Sequence, residues 1–219
     1  MLIDLNLAGR TVLVVGGGSV GERKAVKFTE SCSKVLVVSE DFTEGLEEMG
    51  RGGLTTLIRA DIVNESLLVG RLISNSSLVV AATDDHELNE SIIKEARKQG
   101  TPACAVDNPS ISDFTMPATA TVGDIRIAVS TGGKSPAMAK VLLGRMSGAL
   151  KEDDCLMVRI MGCARRLVKD RIHDGTSRRA VLYRIMGDDE IKRLLRSGTF
   201  EEARARAERI VESSQSHEA

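Results

Sequence analysis

Short apolar runs recur through the first half of the chain, and stretches with helical spacing separate them. The runs are TVLVV at 11–15, KVLVVS at 34–39, LTTLIRA at 54–60, SLVVAAT at 77–83 and PACAVD at 102–107. Strands that are apolar on both faces belong to a parallel sheet with helices on each side. The alternation of the two patterns therefore predicts an α/β domain with a doubly wound parallel sheet over residues 1–113.

The first apolar run leads into VLVVGGGSVGERKA, which contains G-x-G-x-x-G as Gly16, Gly18 and Gly21. This stretch follows a predicted strand and precedes a predicted helix, as in Rossmann-type dinucleotide-binding domains. There the first glycine makes a tight turn, the second lets the backbone approach a pyrophosphate, and the third lets helix and strand pack closely. A glycine-rich turn without a ligand is the alternative interpretation.

The acid that binds the adenosine ribose is expected about 20 residues further on, at the end of the second strand. Ser39 ends that run, and Glu40 and Asp41 follow it. Either carboxylate can bond the ribose, and their charge opposes a 2′-phosphate, which favours NAD over NADP. A solvated strand end or the cap of the next helix is the other interpretation of these two acids.

The pattern changes over residues 114–150. FTMPATATVGDIRIAVST predicts two antiparallel strands around a tight VGD turn. GGKSPAMAKVLLGRMSGAL predicts a glycine hinge and a helix, with Ser135 as its N-cap and Pro136 at its first position. Only helical signals follow, so residues 151–219 are expected to form a small α-helical domain of about three helices.

The composition argues against nucleic-acid and membrane partners. The 30 basic and 31 acidic residues nearly cancel, and aromatic residues make up only 2% of the chain. There is therefore neither a strong positive field nor a set of stacking platforms for bases. The N-terminus does not resemble a signal peptide, and no apolar run approaches the roughly 20 residues of a membrane span. We expect a cytoplasmic protein.

No metal site and no P-loop is predicted. The cysteines are dispersed without a close C-x-x-C pair, which favours reduced thiols at Cys32, Cys104, Cys155 and Cys163. The histidines are also far apart in the sequence. We interpret them as surface residues rather than metal ligands: His86, His173 and His217. GGKS at 132–135 is not a P-loop, because Ala128 stands where that motif requires glycine.

Four motifs occur in order and with compatible spacing: VLVVGGGSVGERKA, VVAATDDHELN, AVDNPSISDFTMPA and IAVSTGGKSPAMAK. Together they resemble the precorrin-2 dehydrogenase family, which includes the N-terminal module of siroheme synthase. The resemblance implies oxidation of precorrin-2 to sirohydrochlorin with NAD as hydride acceptor, and some members also insert iron. It further implies a homodimer in which the subunits share the region after the Rossmann part, here 114–150.

The resemblance also implies roles for individual residues. The contacts to NAD correspond to Ser19 and Val20 in the glycine loop, Glu40 and Asp41 after the second strand, and Thr83 and Asp84 after the fourth. The family's essential aspartate corresponds to Asp107. Ser130 corresponds to a serine beside the active-site cleft.

The chemistry of two further positions agrees with this assignment. Asp107 ends the predicted fifth strand, at the sheet edge where ligands bind, and an ionised carboxylate there can accept a proton. A cap for the NPSISD turn is the alternative role of Asp107. Lys134 and the amides of STGGKS are candidates for binding the substrate's carboxylates, with a plain surface lysine as the alternative.

Two other functions agree with part of the sequence. A non-enzymatic NAD-sensing regulatory module also combines a Rossmann fingerprint with a TDD…N-like segment, but it does not explain SDFTMPA or STGGKSP. A dehydrogenase acting on another small substrate is the second alternative. A two-stranded hairpin is marginal by itself in water, so it is expected to pair with more sheet or with another chain. Because a closed two-fold arrangement is the commonest solution, we expect a homodimer assembled mainly through residues 114–150.

Overall fold

The computed structural model describes residues 2–31 and 34–215, and these divide into two compact units after Met116. Cys32 and His217 lie outside the described residues. The first unit has a hydrophobic cluster on each face of its sheet, and the second has a cluster among its helices. Each unit therefore has a core of its own.

A five-stranded parallel sheet forms the centre of the first unit, as predicted. Its strands are β1 (Thr11–Val15), β2 (Lys34–Ser39), β3 (Thr55–Arg59), β4 (Leu78–Ala81) and β5 (Ala103–Ala105). The strand order is β3-β2-β1-β4-β5, with every neighbouring pair parallel. From β1 the chain adds β2 and β3 on one side of the sheet, and it then adds β4 and β5 on the other side of β1. In sheets of this kind the ligand crevice lies where the direction changes, here at the carboxyl ends of β1 and β4.

Helices cover both faces of the sheet. They are α1 (Ser19–Thr29), α2 (Glu44–Arg51), α3 (Ser66–Ser74) and α4 (His86–Lys98). Leu13 and Val15 pack in the cluster that contains residues of α3 and α4, whereas Val12 and Val14 pack in the cluster that contains residues of α1 and α2. These four side chains, which follow Thr11 in β1, are all fully buried, which is why this part of the strand is continuously apolar.

The turn from β1 into α1 brings backbone segments close together. Gly16 has a φ of +116°, and a Cβ there would lie 2.5 Å from the carbonyl oxygen of Ala82. A Cβ at Gly21 would overlap the carbonyl oxygen of Gly16. Only glycine satisfies both positions without a shift of the backbone.

The second unit begins with the predicted hairpin and helix. Strands β6 (Ala118–Val122) and β7 (Ile125–Val129) are antiparallel, and α5 (Pro136–Ala149) follows. Ser135 caps α5 as predicted, since its hydroxyl accepts a hydrogen bond from the Met138 amide at 3.2 Å. No described residue of β6 or β7 is buried, and Ala139 is the buried apolar residue of α5.

Four helices form the rest of the described second unit, against about three expected. They are α6 (Glu152–Arg171), α7 (Gly175–Gly187), α8 (Asp189–Arg196) and α9 (Phe200–Gln215). The difference arises at Asp188, which ends α7 and caps α8 by accepting a hydrogen bond from the Ile191 amide. Among the described residues, no helix combines the length and hydropathy needed to cross a membrane.

The packing of Gly21 predicts a loss of stability on Gly21→Ala. The added methyl group has no room beside Gly16, so we expect the free energy of unfolding to fall by about 1–3 kcal/mol, as for other overpacked sites. Gly70→Ala is the matched control in the same unit, because a Cβ there meets only the Gln99 side chain at 3.7 Å. Gly70→Ala should leave the free energy of unfolding unchanged or raise it by up to about 1 kcal/mol.

Chemical denaturation followed by circular dichroism measures both variants. A Gly21→Ala protein as stable as the parent would contradict the packing described for the β1–α1 turn.

Candidate active site

A cleft of about 700 Å³ opens at the carboxyl edge of the sheet. Its walls are the glycine loop, the segment after β2 and the segment after β4. The predicted cofactor residues that line it are Gly16, Gly18, Ser19, Val20, Glu40, Asp41, Thr83 and Asp84. Gly21 is buried behind this wall, where it packs against Gly16. The structure thus gathers these residues around one cavity.

The glycine loop presents an open backbone surface to the cleft. Gly18 is the N-cap of α1, and no described atom lies within 4 Å of the position of a Cβ there. The first helical hydrogen bond runs from the Glu22 amide to the Gly18 carbonyl, so the amides of Ser19, Val20 and Gly21 precede the helical ladder. Such amides at a helix N-terminus attract anions, and this geometry suits the pyrophosphate of a dinucleotide.

Arg59 changes the interpretation of the acids after β2. Its guanidinium donates to the Asp41 carboxylate at 2.8 Å and to the Glu40 carbonyl at 2.7 Å, and it lies over the Phe42 ring. Asp41 is therefore engaged by a cation. Among the described residues, the Glu40 carboxylate forms no ion pair, which makes Glu40 the stronger candidate for the ribose. Sequence reasoning did not single out Arg59, although β3 pairs it with Ser39.

Asn89 fixes the segment after β4. Its side chain is fully buried, and its Oδ1 accepts hydrogen bonds from the Thr83 amide at 3.1 Å and the Thr83 hydroxyl at 2.8 Å. Its Nδ2 donates to the Thr83 carbonyl at 3.1 Å. These three bonds hold the backbone that carries Thr83 and Asp84. Sequence reasoning gave Asn89 no role, although it is a polar residue on the buried face of α4.

Asp107 follows β5 and contacts two residues of α4. The residue is exposed along its backbone, but its side chain is only 17% exposed. His86 Nδ1 contacts its Oδ2, and Asn89 also contributes a hydrogen bond. Burial raises the pKa of Asp107, but these hydrogen bonds outweigh it and hold the pKa below the usual value. Asp107 is therefore an anion at neutral pH. The prediction that His86 lies on the surface is confirmed, since its side chain is 82% exposed, but sequence reasoning did not foresee its contact with Asp107.

The chain beyond Asp107 returns along the outer edge of β5. The Asp113 carboxylate accepts hydrogen bonds from the Ala103 amide at 3.0 Å and from Arg97 Nε at 2.9 Å. The Ser112 hydroxyl accepts one from the Ala105 amide at 3.0 Å. The Asp113 and Ser112 side chains thus accept hydrogen bonds from the amides on the outer edge of β5, the strand that positions Asp107.

Ser130 and Lys134 lie in the second unit, in the loop between β7 and α5. The Ser130 hydroxyl accepts a hydrogen bond from the Gly132 amide at 3.2 Å, and the Lys134 amide donates to the Thr131 carbonyl. The lining of the nucleotide cleft contains neither residue. Their roles toward the substrate stay predictions.

The described cysteines are free, and Cys104 is buried beneath the site, where burial raises the pKa of its thiol. Within residues 2–31 and 34–215, no group of three or more histidine, cysteine, aspartate or glutamate side chains is arranged to hold a metal ion.

Two family models match the chain. One is described as NAD(P)-binding and matches residues 3–118, and the other is described as the sirohaem synthase dimerisation region and matches residues 156–211. A precorrin-2 dehydrogenase of Methanosarcina barkeri is 33% identical over 211 residues, which cover 95% of this chain and 92% of that protein. The chain belongs to the precorrin-2 dehydrogenase family. The segment 114–150 lies largely between the two matched ranges.

Siroheme synthases are longer relatives. Siroheme synthase 2 of Yersinia enterocolitica is 30% identical over 193 residues, which cover 88% of this chain but 40% of that protein. The chain thus spans about two fifths of such relatives. Among solved structures, a precorrin-2 dehydrogenase named SirC has the same fold, with a TM-score of 0.73 at 24% identity over 95% of this chain and 99% of that one.

The open surface at Gly18 predicts that Gly18→Val weakens NAD binding without unfolding the protein. The valine side chain would occupy the space that the pyrophosphate needs, so we expect the affinity for NAD to fall at least about tenfold, or about 1.4 kcal/mol. Isothermal titration calorimetry measures this affinity. The melting temperature serves as the control, and unchanged NAD affinity in a folded variant would refute the assignment.

Proposed function

We propose that this chain oxidises precorrin-2 to sirohydrochlorin with NAD as the hydride acceptor. The observation that carries the proposal is the anionic Asp107, which Asn89 links to the segment lining the nucleotide cleft. Family membership supports the choice of substrate. Because the family match includes both units, it disfavours a non-enzymatic NAD-sensing module.

The reaction removes two electrons and two protons from the tetrapyrrole, one proton leaving with the electron pair as hydride. When bound, NAD accepts that hydride. Asp107 accepts the other proton, because its carboxylate is ionised and lies at the ligand edge of the sheet. The amides of Ser19 and Val20 bind the pyrophosphate, and Thr83 and Asp84 form the opposite wall. Glu40 binds the adenosine ribose, and its charge disfavours the extra phosphate of NADP.

Precorrin-2 carries many carboxylates, which need cationic or N–H partners. Lys134 and the amides that begin α5 supply both, and α5 is a helix of 14 residues whose N-terminus attracts anions. Ser130 lies in the same loop as a further hydrogen-bonding group. We assign these residues to the substrate.

The protein acts as a homodimer in this proposal. The hairpin β6–β7 has no buried described residue, and α5 exposes Met138, Val141 and Met146. A second copy of the chain can cover this apolar face. The match of residues 156–211 to a dimerisation region supports self-association and adds the C-terminal helices to the candidate interface. The cytoplasmic location and the lack of a nucleic-acid partner stay predictions.

Iron insertion into sirohydrochlorin, a lyase activity that the resemblance implies for some members, also stays a prediction. An absorbance assay with sirohydrochlorin and ferrous ion tests it separately from the oxidation. Loss of both activities in Asp107→Asn would assign both to one site, whereas loss of the oxidation alone would separate them.

The role of Asp107 as a base is tested by Asp107→Asn. The substitution keeps the size and hydrogen-bonding shape of the side chain but removes the anionic base. We expect kcat for NADH formation from precorrin-2 to fall about 100- to 10,000-fold, the usual contribution of a general base. Affinity for NAD should stay equal, because Asp107 does not line the nucleotide cleft. A folded variant with kcat within about threefold of the parent would overturn the role of Asp107.

The homodimer is tested by a substitution on α5. Val141→Asp places a charge on the exposed apolar side of α5, where Val141 is 48% exposed, and burying that charge between subunits is costly. We expect light scattering at micromolar concentration to report a dimer for the parent and a shift to monomer for the variant. Leu67→Asp on α3 is the control, since Leu67 is 83% exposed in the first unit and should leave the dimer intact. A parent that is monomeric would contradict the proposal.

A further inference from the structure

His86 and Asp107 form a pair at the carboxyl edge of the sheet. His86 is the first residue of α4, and its Nδ1 contacts Oδ2 of Asp107, which follows β5. The histidine side chain is 82% exposed, whereas that of Asp107 is 17% exposed. A histidine ring therefore covers one oxygen of the carboxylate that acts as the base in the proposed reaction.

The direction of this hydrogen bond follows from the charge of Asp107. An ionised carboxylate only accepts hydrogen bonds, so the shared proton lies on His86 Nδ1, which donates. The other groups near the carboxylate are Asn89 of α4, which is neutral, and Cys104 of β5, whose thiol is neutral because burial raises its pKa. Asp85, the N-cap of α4, and Glu87 flank the histidine, and the Asp85 carboxylate accepts hydrogen bonds from the Glu87 and Leu88 amides.

We propose that His86 is a positioning residue for Asp107: it holds one carboxylate oxygen by a hydrogen bond and so fixes the orientation in which the carboxylate accepts the substrate's proton. The inference rests on the proposed function and adds a residue to its machinery. Donation to Oδ2 fixes the rotation of the carboxyl group, and it also contributes to the lowered pKa of Asp107. His86 acts through Asp107 and does not itself take the substrate's proton.

Two substitutions separate positioning from direct proton transfer. His86→Asn places an amide N–H close to where Nδ1 stands but cannot act as a base, whereas His86→Ala removes the donor. We expect His86→Ala to lower kcat about 10- to 100-fold, as for small misplacements of catalytic groups. His86→Asn should stay within about threefold of the parent. NAD affinity should not change in either, and His173→Ala is the exposed control in the second unit.

A double-mutant comparison tests whether His86 acts through Asp107. Adding His86→Ala to Asp107→Asn should cause no further loss of kcat, because the group that His86 positions is already gone. A further tenfold loss in the double variant, or a His86→Asn protein as slow as His86→Ala, would overturn the positioning role.

A carboxyl titration by 13C NMR tests the pair without any turnover. His86→Ala should raise the pKa of Asp107, so that the carboxylate protonates at higher pH as the solution is acidified, whereas His86→Asn should keep the pKa low. In kcat/KM, the corresponding loss of activity on the acid side should move to higher pH in His86→Ala. An unchanged Asp107 pKa in His86→Ala refutes the pairing.

The two proposals can fail separately. A parent protein that forms no NADH from precorrin-2 refutes the proposed function, and the carboxyl titration then still decides whether His86 holds Asp107. A parent that turns over while His86→Ala equals it in rate refutes only the further inference.

Discussion

The absence of side chains at the β1–α1 turn is the constraint on which the site depends. Gly16 packs against the backbone of Ala82 after β4, and Gly17 packs so closely against the backbone of Asp41 after β2 that a Cβ would overlap it. Hydrogen bonds from the Gly16 amide to the Val38 carbonyl and from the Thr43 amide to the Gly17 carbonyl join the turn to β2 and to the segment that follows it. Close backbone contacts at this turn thus join the three walls of the cleft, and the Asn89 side chain additionally holds the segment after β4.

The glycines of this loop divide into two kinds. Those at 16, 17 and 21 are required by packing, since each faces backbone atoms of the protein itself. Gly18 faces open space, and its lack of a side chain serves an approaching ligand instead. The glycine motif, which sequence analysis treats as one binding feature, therefore contains some glycines that stabilise the fold and one, Gly18, that leaves room for the ligand. This division is why substitutions within a few residues of each other are expected to have different effects.

Much of the fold follows from local pattern, whereas the contacts of the site do not. The five strands are readable because each is apolar on both faces, and the hairpin because VGD makes a tight turn. Arg59 and His86 were not recognised, since their partners Asp41 and Asp107 are distant in sequence and both side chains lie on exposed surface. Asn89 left a visible signal as a polar residue on a buried helical face, but its partner Thr83 appears only in the fold.

The helix α4 connects the cofactor side of the site to its acid–base side. Asn89 in its second turn binds the segment that lines the cleft, while His86 at its first position contacts Asp107. The positive end of the helix dipole lies at the same place and favours a nearby anion. A carboxylate with a lowered pKa is always ionised at neutral pH, but it holds an accepted proton weakly. This property suits the proposed oxidation, because Asp107 must release the substrate's proton to solvent after the hydride has been transferred.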